Sequence, residues 1–476
     1  MTETLMSLRD AFERWMDSRD YFRTGSGVIM GVTDVLFYLA FAFCFAWDFL
    51  GTTMFKSLYT DTLEAGMEGI YFFALFMAAL CGIVAMVLRF RAHLVVINVI
   101  LVASAYIQWA EGGRKLFLLA LCVMIAGSSD RSFRVISYIA LIEGAVIMAA
   151  AYLASQMDII TDLVYEGGRH SFGIVYCTDC AAHIFFLMGV YAMLRLDSFG
   201  LIDYLVFVFL LTFMMMTKAK TDIACSVLLL AGIAVSRFSA RIKWNRIKWG
   251  RALKKAGRVV GAFLCFSFIL CAAFSFGLSL LQDLTDPITR RRIYTIDYTL
   301  LRRMELNRDA LLAHPFTLFG TKMRQKGFGG KTEGLPGWDE YNFIDCSYVR
   351  IYVLGGAILF VLLLAILTYV MLRCYKNRRY FFIFILSIVA LVSMIEHHLP
   401  EYYYNLFPLM AFTGGGIYRR KAIADADSRS KPDQRKKGKK GNKKRYKTEM
   451  NMPDRNPEKA ERKLPAAAEE MHAERD

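Results

Sequence analysis

Four cationic side chains and three proton-accepting side chains lie in the connections between long apolar segments, and their types are suited to chemistry. The cations are Arg169, Lys218, Lys220 and Arg308, and the proton acceptors are Asp345, Glu396 and His397. A guanidinium group makes forked hydrogen bonds to phosphate, and an ammonium group supplies a compact positive charge. The pattern therefore predicts a site that binds a phosphate-containing anion beside a group that accepts a proton.

The setting of each cation decides how strongly it indicates a ligand. Arg169 stands just before an apolar segment, where an arginine anchored at the membrane interface is an equally good interpretation. Lys218 and Lys220 share the short turn 217–222 between two apolar segments. Two cations in so tight a turn on the outer side run against the usual distribution of positive charge, so a ligand is the better explanation.

The segment 290–313 is predicted to be an amphipathic helix resting on the membrane body. Its apolar residues recur at helical spacing, at Ile293, Ile296, Leu300, Met304 and Leu311. Arg308 falls on or beside this stripe and is expected to face the spans, whereas Arg302 and Arg303 are expected to lie off it. A buried arginine requires an anionic partner, unless its side chain bends outward to water.

The carboxyl and imidazole groups lie at the other end of this polar region. Asp345 closes it, and Glu396, His397, His398 and Glu401 lie between the last two apolar segments. A metal site is not predicted, because adjacent residues on a helix point about 100° apart and no further ligand spacing completes one. Cys177 and Cys180 form a C-x-x-C inside an apolar segment and are interpreted as small helix residues.

The elements that must position these residues are membrane-spanning helices. The chain has 476 residues, of which 56% are hydrophobic, and its mean hydropathy is +0.37. Its repeated apolar runs predict an all-α polytopic integral membrane protein of about twelve transmembrane helices. We place them at 27–49, 69–88, 94–109, 116–127, 135–155, 172–194, 201–216, 222–236, 259–281, 347–372, 380–396 and 402–418.

The distribution of apolar and charged residues divides the chain into five regions. Residues 1–23 are predicted to form an amphipathic helix on the cytoplasmic membrane surface, 24–281 hold spans 1–9, 282–346 form one large extracytoplasmic loop, and 347–418 hold spans 10–12. The tail 419–476 is basic and predicted to be disordered. Lys and Arg in the short connections favour a cytoplasmic location for both termini. The net charge of +16 does not indicate nucleic-acid binding, because no folded basic domain carries it.

Five segments resemble, in order, motifs of the Wzy-type polysaccharide repeat-unit polymerases within the O-antigen polymerase and ligase superfamily. They are RHSFGIVYCTDCAAH at 169–183, TKAKTD at 217–222, LNRDALLAHPFTLFG at 306–320, FIDCSYVRIYVLGG at 343–356 and EHHLPEYYYNLFP at 396–408. Three positions depart from the family pattern. Cys177 replaces a proline, Lys220 replaces a frequent arginine, and Asp345 stands where ligases tend to have histidine.

The resemblance implies a GT-C-like glycosyltransferase in the bacterial cytoplasmic (inner) membrane that uses no metal and no cofactor. It would transfer a growing glycan from a polyprenyl diphosphate to the sugar hydroxyl of a lipid-linked repeat unit, making a capsule, exopolysaccharide or O-antigen. Membrane lipids, a flippase and a chain-length regulator are the other partners that it implies. Under this interpretation Arg169, Lys218, Lys220 and Arg308 bind the diphosphate, and Asp345, with Glu396 or His397 as alternates, is the base.

Two alternatives stay open. A glycan ligase of the same superfamily would transfer finished glycan to a different acceptor, and Asp345 favours the polymerase over it. A flippase for lipid-linked oligosaccharides belongs to a different class, in which binding groups lie near the middle of the membrane and internal repeats are common. The scattered acids Asp34, Glu143 and Asp203 and the absence of a visible repeat between the halves of the sequence weigh against it.

Overall fold

The computed structural model of the chain describes residues 20–88, 92–112, 115–242, 250–284, 303–314, 316–327 and 341–414. Three sequence predictions lie wholly or mostly outside these residues. They concern the N-terminal surface helix, the first half of the amphipathic segment 290–313 and the basic tail.

Helices make up most of the described chain. The first half contains α1 Asp20–Leu50, α2 Asp61–Leu88, α3 Ala92–Glu111, α4 Leu116–Gly127, α5 Phe133–Gln156, a small antiparallel hairpin of β1 Val164–Tyr165 and β2 Arg169–His170, α6 Cys177–Arg195 and α7 Leu201–Thr217. The second half contains α8 Lys220–Arg241, α9 Gly250–Leu264, α10 Ser267–Leu284, α11 Arg303–Ala313, α12 Ser347–Arg350, a π-helical turn Ile351–Gly355, α13 Gly356–Lys376 and α14 Tyr380–Val392.

The fold class predicted from the sequence is confirmed as a mostly helical, multi-pass membrane protein. Seven helices among the described residues are long and apolar enough to cross a membrane, or eight if α9 and α10, bent by 52°, form one broken span. Three shorter apolar helices, α4, α7 and α14, accompany them. The predicted number of twelve spans is not confirmed.

The prediction of a twelfth helical span at 402–418 is wrong for its described part. Residues 402–414 form turns and a short 3-10 helix, Phe407–Ala411, and nearly all of them are buried. The segment begins beside Arg350, which contacts Glu401, and ends beside Arg373, whose guanidinium binds the carbonyls of 410, 411 and 413. It therefore follows the whole length of Ser347–Lys376 without being a helix.

Burial inside the protein explains how this backbone avoids the cost of unpaired polar groups. Non-helical chain at membrane depth is tolerated only where protein or water, rather than lipid, surrounds it. Ser128 Oγ donates to the Leu409 carbonyl at 2.9 Å, and Asn405 Nδ2 donates to the Leu399 carbonyl at 3.0 Å. Apolar composition alone cannot distinguish such a segment from a helix, which is why the sequence predicted one.

A second irregularity interrupts the span that precedes α13. Gly356 has a φ of 81°, which only glycine adopts without strain. The main chain of 317–321 lies against this break and hydrogen-bonds the backbone of Val353, Ala357 and Ile358. Gln108 Nε2 donates to the Leu354 carbonyl at 2.9 Å. The loop thus satisfies polar groups that the break would otherwise leave unpaired.

Candidate functional site

Arg303, the first residue of α11, is the centre of a group of buried charges. Its side chain is 15% exposed, and its Nε lies 3.4 Å from Asp345 Oδ2. Its Nη1 lies 3.3 Å from Glu396 Oε1 and donates to the Ile395 carbonyl at 2.9 Å. The Arg303 guanidinium therefore connects α11 to Asp345, just before α12, and to residues 395 and 396, just after α14.

Arg303 is more buried than Arg308, which is the reverse of the order predicted from the sequence. Arg308 is 30% exposed and pairs with its neighbour Asp309 at 3.3 Å, so the prediction that Arg308 faces the spans and Arg303 does not is wrong. The buried face of α11 carries Asn307 and Ala310. These residues follow Arg303 at i+4 and i+7, so Arg303 lies on the buried face, and Met304 and Leu311 lie beside it and are partly buried.

A second arginine anchors the neighbouring acids. Arg350 Nη1 lies 2.7 Å from Glu401 Oε1 and donates to the His397 carbonyl at 3.1 Å. The Arg350 guanidinium also stacks over the ring of Phe117 at 4.5 Å. A buried arginine fixed by a carboxylate, a carbonyl and an aromatic ring is a rigid support for the residues beside it.

The sequence-predicted proton acceptors meet at this place. Asp345 and Glu396 both contact Arg303, and the His397 carbonyl accepts from Arg350. His397 Nδ1 is 4.0 Å from Asp345 Oδ1. Burial raises the pKa of Asp345 to about 6, with Arg303 opposing this shift and Glu396 adding to it. Burial lowers the pKa of His397 well below its usual value, and the adjacent His398 lowers it further.

A cavity of about 640 Å³ opens on one side of Arg303. Its walls are largely apolar and come from α8, α10 and the end of α14, including Ala224, Phe274, Leu278 and Leu391. Among the described lining residues, only Lys220 and Arg303 carry a positive charge. The remaining lining residues are Thr221, Cys225, Ser275, Ser279, Met304, Asn307, Val392, Met394 and Ile395. The cavity thus combines a hydrocarbon-compatible space with two positive charges.

The predicted cations separate into three places. Lys220 lines the cavity with Arg303. Arg169 and Lys218 lie together where the β1–β2 hairpin meets the turn between α7 and α8. There Arg169 Nε donates to the Thr217 carbonyl at 3.2 Å, and Lys218 Nζ donates to the Gly167 carbonyl. Arg308 lies on α11 outside the buried face.

Three further residues of the charged group were not predicted from the sequence as site residues: Arg350, Asp179 and Asp222. Asp179 and Asp222 lie in the first turns of α6 and α8, and both are nearly inaccessible, with 8% and 1% exposure. Neither carboxylate oxygen of Asp222 has a hydrogen-bond partner among the described residues. An acid at the start of an apolar helix is costly to bury, and that signal was present in the sequence.

Comparisons with family models, with curated proteins and with solved structures give no significant match. The class of the protein is therefore described from its fold and its candidate site. It is a mostly helical, multi-pass membrane protein with a group of buried charges beside an apolar cavity.

Proposed function

We propose that this protein is a membrane glycosyltransferase that polymerises lipid-linked oligosaccharide repeat units into a surface polysaccharide. The observation that carries the proposal is the cavity of about 640 Å³ with Lys220 and Arg303 in an otherwise largely apolar lining. A polyprenyl diphosphate has the same two parts, a hydrocarbon chain and a compact polyanion. The volume of the cavity lies within the range of about 300–1,000 Å³ that is typical of small-molecule sites.

In the proposed reaction the donor diphosphate lies against Lys220 and Arg303. The acceptor hydroxyl attacks the anomeric carbon of the donor glycan, and a new glycosidic bond forms while the bond to the diphosphate breaks. The hydroxyl proton passes to a carboxylate, for which Asp345 and Glu396 are the candidates because both contact Arg303. The two cations stabilise the charge that develops on the leaving diphosphate.

The acceptor also carries a diphosphate in this proposal, and a second group of cations is available for it. Arg169 and Lys218 lie together at the junction of the hairpin and the α7–α8 turn. Arg308 keeps its sequence-based assignment to a diphosphate as a prediction. We further propose a bacterial cytoplasmic membrane location, with both termini in the cytoplasm and the Arg303 site on the outer side.

One observation favours the alternative of a flippase. Transporters often place substrates at interrupted helices, and the span Ser347–Lys376 is interrupted at Gly356. The backbone groups at this interruption, however, bind the loop 317–321 and Gln108. They are engaged within the protein, so the polymerase remains the better explanation.

The proposal is tested by deleting the gene and separating the cell-surface glycan and the lipid-linked glycan on gels. Loss of a polymerase leaves one repeat unit on the carrier or on the surface, and the plasmid-borne gene restores the ladder. Loss of a ligase instead leaves long chains on the lipid carrier. Loss of a flippase traps single units on the cytoplasmic side, and either of these two results would reject the proposed activity.

A further inference from the structure

Three side chains that have no role in the proposed transfer step, those of Asp179, His397 and His398, form a cluster within the charged group. Asp179 stands in the first turn of α6, and His397 and His398 follow the end of α14. One potential metal-binding atom from each of these three residues lies within 4.8 Å of the other two. Asp179 and His398 are buried, and the side chain of His397 is 16% exposed.

His397 and His398 do not lie on a helix, where adjacent side chains would point apart. In the structure α14 ends at Val392, and the two imidazoles follow in irregular chain with ring centroids 4.1 Å apart. Their nitrogens can therefore approach one point.

Two ring nitrogens of these histidines lack ordinary partners. His398 is 1% exposed, and its Nε2 lies 3.7 Å from Asp179 Oδ1, too far for a hydrogen bond. Neither His398 Nε2 nor His397 Nδ1 has a hydrogen-bond partner among the described residues. His397 Nδ1 lies 4.0 Å from Asp345 Oδ1. Buried polar atoms are normally paired, so a nearly inaccessible His398 Nε2 without a partner, beside Asp179 and a second imidazole, indicates a missing ligand.

The remaining nitrogen of His398 is already positioned for metal binding. His398 Nδ1 lies 3.1 Å from Glu401 Oε2. In metal sites a histidine commonly donates its second ring N–H to a carboxylate, which fixes the tautomer and leaves the other nitrogen free to bind the ion. Glu401 is itself fixed by Arg350 at 2.7 Å.

The charge of the surroundings also favours a bound cation. Asp179 lies within electrostatic range of Asp345, Glu396 and Glu401, and Asp222 lies within electrostatic range of Asp179 and Glu396. Two guanidinium groups, those of Arg303 and Arg350, pair with them. Buried carboxylates require compensation, and a divalent cation would supply positive charge beside them.

We propose that Asp179, His397 and His398 bind a divalent transition-metal ion, for which Zn²⁺ is the best match. Two imidazoles and one carboxylate form a common zinc ligand set, which leaves a fourth position for water. In a tetrahedral site the ligand atoms would approach to about 3.4 Å from one another. The three atoms now lie within 4.8 Å of one another, so metal binding would draw them closer together.

The ion would tie α6 to the chain after α14 and would occupy the lone pair that His397 needs to accept a proton. Asp345 and Glu396 would then remain as the candidate bases. The inference does not rest on the proposed glycosyl transfer, because its tests measure metal content and stability rather than activity.

The test uses the full chain, purified in detergent without a polyhistidine tag, stripped with a chelator and re-equilibrated with ZnCl₂. We expect about one zinc ion per chain by elemental analysis, as a three-ligand protein site predicts. The matched control His314→Ala should retain the same amount, because His314 lies outside the cluster. His398→Gln and Asp179→Asn should each lose most of it.

Thermal unfolding supplies the second measurement. A ligand that binds only the folded state raises the unfolding temperature, so zinc should raise the Tm of the stripped unmodified protein and not that of His398→Gln. Zinc retained equally by the unmodified protein and both cluster variants would overturn the proposal. Failure of the unmodified protein to retain zinc or to show the Tm rise would also overturn it, whether or not the variants fold. His398 would then bridge Asp179 and Glu401 without an ion.

Discussion

Arg303 is part of the charged group and also lines the apolar cavity. It contacts Asp345 and Glu396 on one side and lines the cavity with Lys220 on the other. One guanidinium between two carboxylates leaves this trio with an excess of negative charge. An arriving diphosphate would compete with the carboxylates for Arg303, and Lys220 would offset the repulsion between the anions.

Replacement of Arg303 tests this assignment at the residue scale. Arg303→Ala is expected to lower the polymerisation rate by roughly 100–1,000-fold, the usual loss when one group that stabilises a developing negative charge is removed. Arg303→Lys should recover part of the activity, because it keeps the charge and loses the fork. Rates are compared in membranes that contain equal amounts of folded protein.

The exposed Arg134, on α5, provides the matched control. Arg134→Ala should polymerise at the unmodified rate. Arg308→Ala separates the two assignments of the α11 arginines, since the structure predicts a smaller loss than for Arg303→Ala. A larger loss from Arg308→Ala would restore the assignment made from the sequence.

Asp345 is expected to accept the hydroxyl proton. Asp345→Asn keeps the size of the side chain and removes its basicity, so kcat should fall by roughly 100–10,000-fold. KM should change little, because the diphosphate contacts stay in place. Glu396→Gln is the paired variant. If it alone abolishes turnover while Asp345→Asn remains active, Glu396 is the base.

At the scale of elements, the packing of α8, α10 and α14 creates the cavity. Ala224, exposed on α8, lines it, and Ala149, exposed on α5, does not. Ala224→Phe should raise the KM for the lipid-linked donor by filling space that the hydrocarbon chain requires, whereas Ala149→Phe should leave it unchanged. An unchanged KM in Ala224→Phe would show that the donor binds elsewhere.

The interruption before α13 provides a prediction about stability. A Cβ atom on Gly356 would lie 2.3 Å from the Leu318 carbonyl oxygen and 2.4 Å from the Gly320 nitrogen. Gly356→Ala should therefore lower the free energy of unfolding by more than the roughly 1–3 kcal/mol expected from backbone strain alone. Gly277→Ala, on α10 with no atom within 4 Å of its Cβ position, should not destabilise. Unfolding in mixed micelles measures both, and equal stability of the two variants would contradict the described break.

Hydropathy predicted the helical elements well and their internal details poorly. Most of the predicted spans lie on helices, because lipid requires the backbone of an apolar run to pair within itself. The prediction 259–281 covers the bent pair α9 and α10, and 347–372 is interrupted at Gly356. The segment 402–414 escapes this rule because Ser128 and Arg373 bind its carbonyls inside the protein. Such partners come from distant parts of the chain, so no local pattern reveals them.

The site was predictable in its residue types and only partly in its geometry. Asp345, Glu396 and His397 do meet, as the sequence suggested. The choice between Arg303 and Arg308 failed because it depends on how α11 is turned against its neighbours. Asp179 went unassigned as a site residue, since its partner His398 lies more than 200 positions further along the chain.

At the scale of the whole molecule, the proposed activity requires only the protein, a bilayer and lipid-linked repeat units. In the proposed reaction the charged group supplies a base and a cation in one place, and the cavity provides room for a hydrocarbon chain beside them. No nucleotide sugar enters this scheme, because a diphosphate whose charge is stabilised is already a good leaving group.

The most direct test is reconstitution of the purified protein in liposomes with a synthetic polyprenyl-diphosphate-linked repeat unit. We expect a ladder of lipid-linked glycans that lengthens with time without added nucleotide sugar, with release of one polyprenyl diphosphate for each bond formed. Movement of unextended repeat units across the bilayer, with no ladder, would contradict it.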